Sequence, residues 1–197
     1  MSFNGDTMND QAAQEMRDGF PFVGGRLWLD FLNSAPATMG DLIARPEDLA
    51  RWAKAAGIER AGRPAFTRDD VAAAHALRNA LGAIARALSE GAAPTARAIA
   101  EVNRHLAAAP RLRRVESAKG SLQVSESIDS DLFGRVASDL ADFIPSFEPH
   151  RLRTCGGEDC SLVFYDTARN ATRRWCSMSA CGNRHKVARH RARGATA

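Results

Sequence analysis

Cys155-Gly156-Gly157-Glu158-Asp159-Cys160 and Cys176-Ser177-Met178-Ser179-Ala180-Cys181 contain all four cysteines of a 197-residue chain. Each pair encloses four residues, a fifteen-residue insert separates the pairs, and both lie within 27 positions. A short loop between two cysteines, a knuckle, turns two thiolates toward a common point. Two knuckles supply the four soft ligands of a tetrahedral zinc ion. We therefore read Cys155, Cys160, Cys176 and Cys181 as ligands of one structural zinc. Two disulfides or an iron–sulfur cluster are the competing uses. The stretch from Met1 to Gly19 is polar, with no apolar signal core, so we expect a reducing, cytoplasmic setting.

Working outward, Leu162-Val163-Phe164-Tyr165 suits a short strand, and Asp166 to Thr172 reads as a turn. The insert is long enough for a hairpin. From Cys181 to Arg193 no proline interrupts the chain, which predicts a helix starting at the last ligand, with Cys181, Ala188 and Val187 facing inward. It would be roughly 18 Å long, enough to lie in a DNA major groove. Lys186, Arg189 or His190, and Arg193 share one face of it at spacings of three and four, and Arg184 and Arg191 share another.

Charge is concentrated at this end. Residues 151–197 hold ten Arg and Lys against three acids, +7, while residues 1–150 hold 17 against 20, −3. Four thiolates and one zinc ion together subtract two, leaving about +5. A basic helix over a small metal core points to nucleic acid, the alternative being a solvated charge run. Four cysteines fill a tetrahedral shell, so His185 and His190 are read as exposed or phosphate-facing, and Trp175 as packing.

The run Arg173-Arg174-Trp175-Cys176-Ser177-Met178, followed by Cys181-Gly182-Asn183-Arg184 and Lys186, resembles the CGNR zinc finger, and Phe164, Asp166, Arg169 and Asn170 also fit that pattern. The resemblance implies a treble-clef-like finger that binds double-stranded DNA, at the C-terminus of bacterial proteins whose N-terminal region is an ABATE domain. Such proteins are regarded as stress-induced transcription regulators. On this reading Arg173, Arg174, Arg184, Lys186, Arg189, His190, Arg191 and Arg193 meet phosphates or base edges. RNA or a protein partner remains the alternative for such a module. One departure stands out: Ala171 follows Asn170 where the family tends to have glycine, and alanine tolerates positive φ poorly.

Upstream, Leu29-Asp30-Phe31-Leu32-Asn33 resembles the first motif of the ABATE domain, Ser34 replacing its threonine. Asp30 and Asn33 sit among apolar neighbours, so they either bond local backbone or face a pocket. With Arg78 they are the candidate contacts of a small-molecule effector, whose existence rests on the resemblance. Helices are predicted at 26–34, where a strand remains possible at the start, from Pro46 to a stop at Gly57-Ile58, from a Thr67 cap over about 23 residues to Gly91, and from Pro94 to Ala109 with Ile99, Val102 and Leu106 inward. A hairpin turns at Lys119-Gly120, and Ser130 or Asp129 caps a last helix that Pro145 ends.

The expected organisation is thus a mobile leader at 1–18, a mostly helical α+β domain with a small antiparallel sheet at 19–145, a hinge at 146–150 and the finger at 151–197. No apolar run approaches membrane-spanning length. No nucleophile paired with a base, glycine-rich phosphate loop or paired-acid motif appears, so we expect no enzyme. No coiled-coil pattern announces an oligomer.

Overall fold

Local capping sets where the helices start and stop in the computed structural model, which describes residues 15–58, 64–118, 120–128 and 131–194. Helix α1 spans Leu27–Leu32. Helix α2, Pro46–Ala55, begins with proline and two acids at its positive end. It ends in a Schellman motif, with Gly57 at φ 71° donating to Lys54 O and Ile58 N–H reaching back to Ala53 O at 2.9 Å. Helix α3, Arg68–Glu90, opens with a capping box in which Asp70 N–H donates to Thr67 Oγ1 and Thr67 N–H to the Asp70 carboxylate.

Helix α4 is Ala96–Ala107 and α5 is Leu132–Phe143. Asp131 caps α5 by accepting from Gly134 N–H at 2.9 Å. The expected caps Asp129 and Ser130 lie outside the described residues. The inward stripe of α4 also differs from expectation. Ile99 is 44% exposed, whereas Ala98, Val102 and His105 are buried. The His105 ring packs 5.3 Å from Phe133 on α5, so the facing helix, not periodicity alone, chooses which side turns in.

The core forms where α1 meets α3 and α5, and where α4 bridges those two. Trp28, Leu29, Phe31, Leu49, Trp52, Leu77, Leu81 and Leu132 are fully enclosed there. About half the chain is helical, and among the described residues the strands form three two-stranded antiparallel sheets, so the class is α+β as expected. No helix among the described residues is long and apolar enough to cross a membrane.

The first sheet corrects the leader. Strand β1, Met16–Arg17, pairs with β2, Phe20–Pro21, through a turn at Asp18 and Gly19, so residues 16–18 of that segment take part in a strand pair and its turn. Residues 1–14 lie outside the description. Strands β3, Arg111–Ala118, and β4, Ser121–Ile128, form the predicted hairpin, Lys119 itself lying outside the described residues. The third pair is β5, Leu152–Thr154, with β6, Val163–Tyr165.

The hinge is a second correction. Residues 144–151 are taken up mostly by two 3-10 turns, Ile144–Ser146 and Pro149–Arg151. Phe147 packs 5.5 Å from Phe143, and Glu148 N–H donates to the Tyr165 hydroxyl at 3.1 Å. Tyr165 in turn meets Phe143 edge-on at 4.8 Å. Two prolines fixing φ, with aromatic packing on both sides, make this segment a strut.

Candidate metal centre

The β5–β6 pairing brackets the first knuckle, so the hairpin encloses Cys155 and Cys160 and does not lie in the insert as expected. Cys155 N–H closes the loop on Leu162 O at 2.9 Å. At Gly157 a Cβ would sit 3.1 Å from Cys160 Cβ and 3.4 Å from Cys181 Sγ, so a larger residue would crowd the knuckle against the sulfurs and glycine avoids that. The second pair belongs to the start of a helix. Ser177 caps one π-helical turn, Met178–Gly182, that carries Cys181 and runs directly into α6, Asn183–Gly194. Helix formation therefore begins before the last ligand. Hairpin, loop and ligand-bearing helix follow in the order of a treble-clef-like finger.

All four Sγ atoms lie within 4.8 Å of one another, with Cys176 and Cys181 at 3.5 Å and Cys160 and Cys176 at 3.8 Å. A tetrahedron with Zn–S bonds of about 2.3 Å sets its sulfurs about 3.8 Å apart. A disulfide needs about 2.05 Å, and all four cysteines are free. The donor set and spacing fit one structural zinc.

The electrostatics also favour a cation. Burial pushes the Cys160 thiol up to about 11, with neighbouring Cys155 adding to the rise. Burial and then the charges of Cys155 and Cys160 raise Cys176 as well. Cys155 is buried too, but N–H donors at Cys176 and Gly157 outweigh that and hold it below the usual thiol range. Four crowded sulfurs cannot share negative charge alone, and a divalent ion reverses that preference. Arg184 adds to it by donating from Nη2 to Cys181 Sγ at 3.1 Å.

Outside the ligands, arginine side chains satisfy the loop's carbonyls. Arg151 donates to Asp166 O and Ala168 O, and Arg153 to His150 O and Ala171 O. Arg173 donates to Trp175 O, Val23 O and Cys176 O while lying 4.5 Å over the Phe164 ring. Arg173 is thus occupied inside the finger, a correction to its expected place among nucleic-acid contacts. Asp166 is fully enclosed, and its carboxylate accepts from Ala168 N–H at 2.9 Å and Arg173 N–H at 2.7 Å. Burial acts to raise that carboxyl, but the two N–H donors prevail and hold it below the usual range.

The other predicted contacts divide by exposure. Arg174, Arg184, Lys186, Arg189 and Arg191 are exposed. Arg174 lies 5.2 Å over the Trp175 ring. The backbones of His190 and Arg193 continue α6, while their side chains lie outside the description. The inward contact of α6 is His185, 4.6 Å from the Trp175 ring, whereas Val187 and Ala188, expected to face the metal core, are exposed. A groove of about 390 Å³ beside the cysteines is lined by Gly157, Asp159, Trp175, Arg184 and His185.

The residues proposed for an effector all have partners within the chain. Asp30 accepts from Gly24 N–H at 2.7 Å. Arg78 grips the Asp41 carboxylate through both terminal nitrogens, at 2.8 and 2.9 Å, and reaches Ser34 Oγ. Asn33 does something the sequence did not signal. Its Oδ1 accepts from Val163 N–H at 2.9 Å and its Nδ2 donates to Val163 O at 2.8 Å, so a side chain on the helical core completes the edge of strand β6. Asn33 also borders a groove of about 460 Å³ shared by α1, α3 and the finger.

Further ties fix the finger in place. Tyr165 N–H donates to Gly24 O at 2.8 Å, and the Ser179 hydroxyl to the Glu15 carboxylate at 2.6 Å. Leu152, Val163 and Tyr165 pack with the helical core, while Val23 packs with the cysteines.

Models of known families match two segments of the chain. Residues 25–146 match ABATE, described as "Putative stress-induced transcription regulator", and residues 151–194 match the CGNR zinc finger. No curated protein matches it.

Proposed function

The chain belongs to the ABATE family, and from that membership we propose a transcription regulator that grips double-stranded DNA with α6 and the Trp175 edge of its zinc finger. The observation that carries this reading is the exposure of Arg184, Lys186, Arg189 and Arg191 on a helix with no acidic residue. Beyond His185 the helix projects as a cationic rod of major-groove dimensions. Arg174, stacked on Trp175, extends the surface toward a flanking phosphate.

The zinc's role here is structural. Four thiolates leave no coordination position for substrate or water, which supports a non-catalytic protein. The metal orients Cys181, and Cys181 lies in the turn that runs directly into the helix. Units at 19–145 and 151–197 remain our division of the chain, the first now joined to the second by the Asn33 clasp and the strut. Any small molecule that enters the groove beside Asn33 would act on the joint itself.

Titrating duplex DNA against the zinc-loaded chain tests the reading. With about five phosphates neutralised, log affinity falls against log salt with a slope of about −4.5. Arg189→Ala with Arg191→Ala should lower the slope by about two and leave zinc at one per chain. A flat salt response overturns DNA binding and favours a protein partner.

A further inference from the structure

The β3–β4 ribbon takes no part in the metal centre and little in the core. Its eight pairs run without a bulge, and among the described residues it is a two-stranded sheet whose outer edges both lack a strand. Val115 is 70% exposed, Val124 opposite it 56% and Leu122 79%. Alternation places these three on one face. An isolated two-stranded ribbon is marginal in water, and natural edges are usually blunted by charged side chains, proline or a bulge. Neither proline nor bulge occurs in β3 or β4, and the charges of β3, Arg111, Arg113, Arg114 and Glu116, are of both signs. Arg111 ties the base of the ribbon to Asp142 on α5, leaving the rest projecting.

We propose that a second copy of this chain covers the ribbon, β3 pairing antiparallel with β3 of the other copy about a two-fold axis at Val115. Charge selects that register from those centred on the middle of the strand, which pair the most residues. Strand β3 reads Arg113-Arg114-Val115-Glu116. A two-fold axis normal to the sheet must pass through a residue, because opposite residues share a face. Axes at Arg113 or Arg114 oppose two arginines, and an axis at Glu116 opposes two glutamates. The axis at Val115 sets each Arg114 across from the other copy's Glu116 and the two valines across from each other. Val124, Val115 and their symmetry mates then form one apolar row over four strands. The pairing is isologous and closes on itself, giving a dimer with two fingers.

The inference is independent of DNA binding and is tested without it, by sedimentation of the full zinc-loaded chain across concentration. The unaltered protein should dimerise. Arg114→Glu and Glu116→Arg, each alone, oppose like charges twice and should raise the dimer dissociation constant at least about tenfold. An equimolar mixture of the two variants re-creates both ion pairs and should return to within about threefold of the unaltered protein. A contact within one chain would not produce that rescue. Both positions are exposed, so zinc content and circular dichroism should be unchanged. A monomer at every concentration, single variants that dimerise normally, or a mixture that fails to recover overturns the proposal.

Discussion

The helical core and the zinc finger stand side by side in one chain but are held together by different physics. The core encloses Trp28, Phe31, Trp52, Leu77, Leu81 and Phe143, each contributing roughly 1.5–3 kcal/mol by leaving water. Among the described residues, the buried cluster at the cysteines takes only Leu162 and Phe164 from the finger's other side chains, with Val23 added from the helical unit. So small an apolar cluster would not hold this region folded unaided. Coordination, worth about 10–16 kcal/mol in small zinc modules, is the largest single contribution to its order. Arginine-to-carbonyl bonds then shape the loop. One region needs many interchangeable contacts, and the other depends on four atoms.

Removing the metal is the largest perturbation that contrast predicts. A strong chelator, or Cys176→Ser, should abolish the finger's structure while most far-UV helical signal survives. The helical unit should nonetheless melt several degrees lower, because Leu152, Val163 and Tyr165 leave its core and Asn33 loses both partners. Differential scanning calorimetry with and without chelator checks both parts. Cooperative loss of everything would erase the distinction between regions. An unchanged helical transition would show that docking contributes no stability.

A smaller effect belongs to the core alone. Burial pushes the Asp30 carboxyl from 3.8 up to about 7, against the N–H of Gly24 and the charge of Arg17, with Asp139 adding to the rise. The folded state therefore holds this proton more tightly than the unfolded one. Its contribution is fully present below about pH 4, declines as pH rises toward 7, and is flat beyond. Asp30→Asn mimics the protonated form and should be more stable than the parent at pH 8 by up to a few kcal/mol, the gap closing by pH 4. Urea unfolding of both proteins across that range measures the difference, from which all other titrating groups cancel. A constant gap would mean that Asp30 is not the titrating group.

What the sequence disclosed follows the same division. Thr67 with Asp70, Gly57 with Ile58, and the four cysteines act over a few positions or through fixed spacing, so their roles were legible. Asn33 reaches Val163, 130 residues away, and no local pattern announces such a partner. Arg173 looked like its basic neighbours until Val23 O, Cys176 O and the Phe164 ring claimed it. On α4, Ile99 and Ala98 are adjacent, and packing of His105 on Phe133 decided which turned inward. The ligands of a metal are written into spacing, whereas the direction a side chain takes depends on elements folded elsewhere.

The smallest prediction contrasts the regions by one chemical change made twice. Ala171 sits at φ 47°, held there because its N–H donates to Ala168 O at 3.1 Å and its O accepts from Arg153 Nη2 at 2.8 Å. A left-handed alanine costs roughly 1–2 kcal/mol that glycine avoids, while glycine's freer unfolded chain returns part of the gain. Ala171→Gly should therefore stabilise the finger by about 0.5–1 kcal/mol, seen as slower zinc loss to a chelator. Ala76 is an exposed alanine inside α3, where φ is already helical. There the same exchange should cost about 1 kcal/mol in urea unfolding. Opposite signs would show that backbone strain is stored around the metal site and not in the helical core; equal signs would place the strain elsewhere.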